Sequence, residues 1–222
     1  MQRIIQQTAD GSLTIAVTNM NVTYHSIHGA VQESLHVFIN AALQPLLNTK
    51  PKLNILEVGF GTGLNALLTL NIILQQQHKV YYEAIELYPL ENSIYEKLNY
   101  ANALSNTNLH TAFLKMHSSK WNEDVTINNL FQLHKANLSL QEYSTAQTFD
   151  IVYFDAFDPS VQPELWTQEI FKKMFAIMNA KSILTTYSAK GSVRRNMLAA
   201  GFKVEKLKGP PGKREIIRAI KL

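Results

Sequence analysis

The spacing of apolar residues changes period several times along the chain, and each change marks an element. Between positions 29 and 47, Val31, Leu35, Phe38, Ile39, Ala42 and Leu46 recur at helical spacing. Ahead of this helix, residues 12–26 are rich in Thr, Val and Ile around Asn19-Met20-Asn21, a β-hairpin pattern. Beyond Pro51, short apolar runs alternate with longer amphipathic ones. The spacing predicts strands over 53–58, 80–87, 150–155 and 182–187, and helices over 63–77, 91–101, 163–178 and 192–200. Pro163 falls in the first turn of one helix, and Gly201 closes another. Residues 109–117 and 131–138 also read as strands, with a poorly defined segment between them. A last strand pair, 202–207 and 215–220, flanks the turn Gly209-Pro210-Pro211-Gly212.

Strand–helix alternation with apolar strands predicts an α/β fold. Its doubly wound, Rossmann-like sheet is mostly parallel, is covered on both faces, and has an antiparallel C-terminal edge. Such a sheet binds its ligand beyond the carboxyl ends of its strands. The pattern divides into an N-terminal hairpin and helix over 1–50 and a main domain over 51–222.

Composition narrows the chemistry. The chain has 222 residues, 46% of them hydrophobic, which suits one well-filled globular domain. It has no cysteine, so disulfides, thiolate zinc sites, iron–sulfur clusters and cysteine nucleophiles are excluded. Its seven histidines include one close pair, His25-x-x-His28, but no HExxH pattern, and no metal is expected. The first residues lack the apolar core of a signal peptide. The most apolar window, 66–74, is broken by Thr69 and Asn71 and falls far short of the ~20 residues a membrane span needs. A cytoplasmic protein without membrane contact is the expectation.

The strongest local signal is Glu57-Val58-Gly59-Phe60-Gly61-Thr62-Gly63, placed where a strand turns into a helix. Glycines there let the backbone bend and approach a ligand closely. The spacing is not the dinucleotide GxGxxG, because Leu64 stands at the third glycine position. An acid at Glu57 is repelled by a pyrophosphate but attracted by a sulfonium or ammonium. Two further acids close predicted strands. Glu86 can accept from ribose hydroxyls, and Asp155 reaches the same crevice.

The E-x-G-x-G-x-G pattern resembles the first motif of class I S-adenosylmethionine-dependent methyltransferases. Three longer stretches narrow the likeness: Tyr24 through Phe38, Glu57 through Asn65, and Asp155 through Trp166 continuing by Ser188-x-x-Gly191-x-Val193-Arg194-Arg195 to Lys213-Arg214-Glu215. Together they resemble the MnmC-like methyltransferases of tRNA 5-methylaminomethyl-2-thiouridine biosynthesis. The resemblance implies N-methylation of a 5-aminomethyl group on the wobble uridine of tRNA, with S-adenosylmethionine as cofactor. Bifunctional members also carry a flavin oxidase; 222 residues leave no room for it, so no FAD is expected.

The resemblance also implies roles. Gly59, Gly61, Gly63 and Asn65 would lie against the cofactor, Glu57 near its amino end and Glu86 on its ribose. Tyr24, Gln32 and Glu33 would close over it, and Asn137 would accept from the adenine amino group. Asp155 would contact the cofactor and either accept the acceptor amine's proton or, since an ordinary carboxylate with a pKa of about 3.9 is a weak base, only hydrogen-bond the amine and stabilise the cationic product. Phe157 would stack on the uracil, whereas Trp166 reads as packing. The chain has Asp155-Ala156-Phe157-Asp158-Pro159 where the family commonly has Asp-Gly-Phe-x-Pro.

Charge adds a location for the nucleic acid. Residues 1–180 carry 10 basic and 15 acidic side chains, net −5; residues 181–222 carry 11 and 2, net +9. Arg194, Arg195, Lys213 and Arg214 are therefore expected to meet phosphates. Competing readings are a small-molecule methyltransferase, an aminopropyltransferase of the spermidine-synthase kind, an NAD-dependent oxidoreductase, and a non-catalytic tRNA-binding module. The basic C-terminal third argues against the acidic channel a polyamine needs.

Overall fold

A computed structural model describes residues 2–222. Its main sheet has eight strands in the order β10-β11-β9-β8-β4-β5-β7-β6. The five central strands are parallel: β9 (Met178–Thr186), β8 (Phe149–Phe154), β4 (Lys52–Val58), β5 (Lys79–Ile85) and β7 (Phe131–Ala136). β11 (Glu215–Lys221) and β10 (Lys203–Lys208) form the expected antiparallel edge. β6 (Asp124–Thr126) adds an antiparallel strand at the other edge. The chain winds outward from β4 through β5 to β7, then returns to the other side of β4 as β8 and β9. The switch point therefore lies between Val58 and Phe154, which are paired across β4 and β8.

Period-two alternation on β4 explains which side chains face which layer. Leu53 and Ile55 enter one core, beside α3 (Leu64–Gln76) and α6 (Leu109–Ser118). Leu56 and Val58 enter the other, beneath α7 (Gln168–Ile177) and α8 (Gly191–Ala199). Glu57 shares the α3 side with Ile55. On β8, Ile151 and Tyr153 take the same side, and Asp155 continues that face.

The N-terminal residues form a small antiparallel sheet, β1 (Arg3–Gln7), β2 (Leu13–Val17) and β3 (Val22–Thr23). The helix read over 29–47 is continuous but wound in three ways: α1 (Ala30–Ser34), a π-wound stretch Leu35–Leu43, and α2 (Gln44–Leu46). Pro45, with no N–H for a carbonyl one turn back, sits just past the widened winding.

Three readings need correction. The helix read over 163–178 is split at the extended Thr167 into a 3-10 turn, Pro163–Trp166, and α7. Residues 109–117 are not a strand but lie in α6, because Leu109, Phe113 and Met116 recur at helical spacing and are all buried. The helix read over 91–101 is broken into α4 (Asn92–Tyr95) and α5 (Tyr100–Ala103). Asn99 lies at the break, where its side chain accepts from Leu13 N–H at 2.9 Å and donates to the Gly11 carbonyl at 3.0 Å. Those bonds fasten the N-terminal sheet to the main domain. No helix among the described residues is long and apolar enough to cross a membrane.

Candidate active site

A cavity of about 1000 Å³ opens at the switch point, between the carboxyl ends of the central strands and the N-terminal sheet. Its wall includes Gly59 and Gly61 after β4, Glu86 after β5, Asp155 to Phe157 after β8, and Tyr187 after β9. Tyr24 and Glu33 form part of the roof. Five carboxylates line it (Glu33, Glu86, Asp155, Asp158 and Glu164), and Lys213 is the lone lysine or arginine among the described residues of the wall.

The glycine loop is fixed by close approach. Gly59 has φ +91°, and a Cβ there would sit 2.8 Å from the Asp155 carbonyl oxygen. Gly63 has φ +72°, and its Cβ would meet His117 Nε2 at 2.8 Å, where that ring contacts the Thr62 carbonyl. The loop is also tied to the next strand, since Gly61 N–H donates to Glu86 Oε2 at 2.9 Å and Tyr88 N–H donates to Glu86 Oε1 at 2.8 Å. Each carboxylate oxygen keeps a lone pair for a further donor, which suits a vicinal diol.

Beneath the loop, Asn65 joins two acids. Its side-chain N–H donates to Asp155 Oδ2 at 2.8 Å and to Glu57 Oε1 at 2.9 Å. Glu57 is 0% exposed. Burial and then the Asp155 charge push its pKa well above the usual carboxylate range, which favours its protonated form. Burial pushes Asp155 up to about 7. Glu33 adds to that rise, and the Asn65 bond and Lys213 oppose it. A carboxyl poised there exchanges protons at neutral pH. Above it, the Tyr24 and Phe157 rings meet edge to face, 5.1 Å between centroids.

Sequence comparison decides the family. Residues 96–222, more than half of the chain, match the family described as S-adenosyl-L-methionine-dependent methyltransferase. The chain belongs to this family. It is an MnmC-like methyltransferase: tRNA 5-methylaminomethyl-2-thiouridine biosynthesis bifunctional proteins MnmC of Pseudoalteromonas atlantica and Magnetococcus marinus are 31% and 29% identical to it, over 97% and 90% of the chain. The chain spans only about a third of their length, 33% and 31%. The crystal structure of MNMC2 from Aquifex aeolicus superposes with a TM-score of 0.82 at 25% identity, covering 99% of this chain and 70% of that one. Spermidine synthase from Thermotoga maritima shares the fold, with a TM-score of 0.56 at 13% identity over 98% of this chain and 68% of its own.

Within the methyltransferase, Tyr24, Glu33, Gly59, Gly61, Asn65, Glu86, Asp155, Phe157 and Lys213 all converge on the cavity. Several expected contacts do not. Glu57 lies behind Asn65 rather than in the wall, because strand alternation turns it toward α3. Gly63 is buried against His117, away from the wall. Gln32 is exposed on α1, outside the wall, and its backbone N–H donates to Asp10. Asn137 is exposed as well; its side-chain N–H donates to the Glu86 carbonyl at 2.8 Å, and Leu138 to Gln141 take its place in the wall. Trp166 is 3% exposed, packing as expected.

The basic tail is also redistributed. Lys213 points inward and pairs with Glu33 at 2.6 Å, so it is not a surface phosphate contact in this state. Lys190 pairs with Asp158, Lys203 and Arg218 with Glu205, and Lys206 with Glu215. Arg194, on α8, and Arg195 and Arg214, both exposed, have no carboxylate partner among the described residues. Tyr187 and Glu164 are among the wall residues that the sequence did not single out. The signal for Tyr187 was available, since it follows a central strand as Asp155 does.

Proposed function

We propose that the methyltransferase transfers a methyl group from S-adenosylmethionine to the primary amine of 5-aminomethyl(-2-thio)uridine at the tRNA wobble position. The observation that carries this reading is Asp155, a carboxyl with a pKa of about 7 on a cavity wall that also holds four other acids. The cofactor, when bound, supplies an activated methyl on a cationic sulfur. The protein must then present a neutral amine in line with it.

An alkylammonium enters such an acidic cavity as a cation. Asp155 binds it, accepts one proton, and leaves the nitrogen lone pair free to form the new carbon–nitrogen bond as the sulfur–carbon bond breaks. Holding amine and methyl in line supplies up to roughly 7–11 kcal/mol of the barrier. Glu86 takes the ribose hydroxyls, the Gly59 and Gly61 backbone lies along the cofactor, and residues 138–141 meet the adenine. Residues 1–50 act as the roof of a cofactor-binding domain formed by 51–222. Phe157 stacks on the flipped uracil, with Tyr24 against its edge. Arg194, Arg195 and Arg214 contact phosphates at the rim. The reaction belongs to the cytoplasm, where tRNA is modified.

A free polyamine is the competing acceptor. The five carboxylates favour it as much as an amine on tRNA, so the basic tail does not argue against it. Labelled-methyl transfer tests both together. Counts in tRNA bearing the aminomethyl group, and none in putrescine or spermidine, support the proposed reaction.

A further inference from the structure

Lys213 is held in a cage. Its Nζ lies 2.6 Å from Glu33 Oε1 and 3.9 Å from the centre of the Tyr187 ring. A carboxylate on one side and an aromatic face on another form a general receptor for an alkylammonium. The walls do not depend on the lysine. Ser26 N–H donates to Glu33 Oε2 at 2.7 Å, and the Tyr187 hydroxyl donates to the Ala156 carbonyl at 2.8 Å. Glu33 stands on α1, and Tyr187 directly follows β9. Lys213, by contrast, reaches in on a flexible four-carbon stem from the turn between β10 and β11. Glu33, Tyr187, Lys213 and Asp155 all line the same cavity.

We infer that the Glu33–Tyr187 cage is the subsite for the acceptor's alkylammonium, and that Lys213 is an internal stand-in which the substrate displaces. This rests on the amine reading proposed above. The exchange is ammonium for ammonium, so Glu33 keeps a cationic partner until Asp155 takes the proton, and regains one when methylation makes the nitrogen cationic again. Released, the Lys213 ammonium withdraws from the cage on its flexible stem. The incoming nitrogen is delivered next to Asp155, which takes its proton. A hydroxyl or a neutral ring nitrogen cannot replace the lysine without leaving Glu33 uncompensated, so the cage selects aliphatic amines.

Two variants test this. Glu33→Gln keeps the bond from Ser26 and removes the charge; acceptor KM should rise about tenfold or more while cofactor Kd changes less than about twofold. Lys213→Met keeps the stem and removes the competitor, so acceptor KM should fall. Calorimetry provides an arm that needs no methyl transfer. Propylammonium should bind Lys213→Met, saturated with S-adenosylhomocysteine, about tenfold or more tighter than it binds the wild type. 1-Propanol should not bind, and the Glu33→Gln/Lys213→Met double variant should lose the gain. The cage is overturned if propylammonium affinity is unchanged in Lys213→Met. It is equally overturned if that variant raises acceptor KM or weakens cofactor binding, which would give Lys213 to a phosphate or to the cofactor carboxylate. Absence of methyl transfer to tRNA would instead count against the proposed reaction, and the propylammonium arm would still decide the cage.

Discussion

Asn65 donates its side-chain N–H to the Asp155 carboxylate at 2.8 Å. That bond stabilises the ionised form of Asp155 and opposes the burial that pushes the group up to about 7. Removing it in Asn65→Ala should raise the Asp155 pKa further. A single hydrogen bond to a charged group corresponds to about one pH unit or more. Because the ionised form accepts the proton, the acidic limb of the kcat profile should move to higher pH. Activity at pH 7 should fall several-fold and recover toward pH 9. A drop that persists at every pH would show that Asn65 acts otherwise.

Glu57 gives a sharper contrast. It is buried behind Asn65, from which it accepts, and burial raises its pKa, so the expected outcome is that it supports the site without touching the cofactor. Glu57→Gln should retain cofactor affinity within about twofold, since an amide oxygen accepts the same bond. Glu57→Ala should lose about 2–3 kcal/mol of stability in denaturant titrations, from the cavity and the unpaired donor. Loss of cofactor binding in Glu57→Gln alone would restore Glu57 to direct contact.

Asp155 should also cost stability, with a definite pH dependence. Its folded pKa is raised from 3.8 to about 7, so the folded state holds a proton that the unfolded state has released. Stability from this group is therefore highest below its unfolded value and declines as pH rises from about 4 to 7. Asp155→Asn should be more stable than the wild type at pH 8, by on the order of 1 kcal/mol and about 2–4 °C in Tm. The gain should vanish near pH 4. Thermal melts at the two pH values check it, and a gain independent of pH would contradict the shift.

The parallel sheet and the Glu57–Gly63 loop were legible because alternation, glycine spacing and strand ends are local signals. Asp155 and Glu86 were legible for the same reason, as acids that close apolar strands. What was not legible came from side-chain direction and long-range pairing. Glu57 looks like a ligand group in the sequence, but strand alternation turns it behind Asn65. Lys213 counts as surface charge until α1 brings Glu33 against it. α6 was misread because Leu109, Phe113 and Met116 are too few to separate a helical period from a strand's.

That redistribution of charge changes what salt should do. Arg194, Arg195 and Arg214 lack carboxylate partners among the described residues, whereas Lys203 and Lys206 are paired. Replacing each of the three arginines with Ala should lower the slope of log K against log salt for tRNA binding by about 0.7–0.9 for each phosphate no longer neutralised. Lys203→Ala and Lys206→Ala should leave the slope unchanged. Equal effects from all five would mean that the basic tail acts as a diffuse field.

Methylation of an amine on the wobble uridine is tested by incubating the protein with S-adenosylmethionine and tRNA carrying 5-aminomethyl-2-thiouridine, then digesting to nucleosides for mass spectrometry. That nucleoside should gain one methyl group, and Asp155→Ala should abolish the gain while still binding the cofactor. An unmethylated nucleoside with cofactor bound would refute the proposed reaction, and full methylation by Asp155→Ala would remove Asp155 from its mechanism.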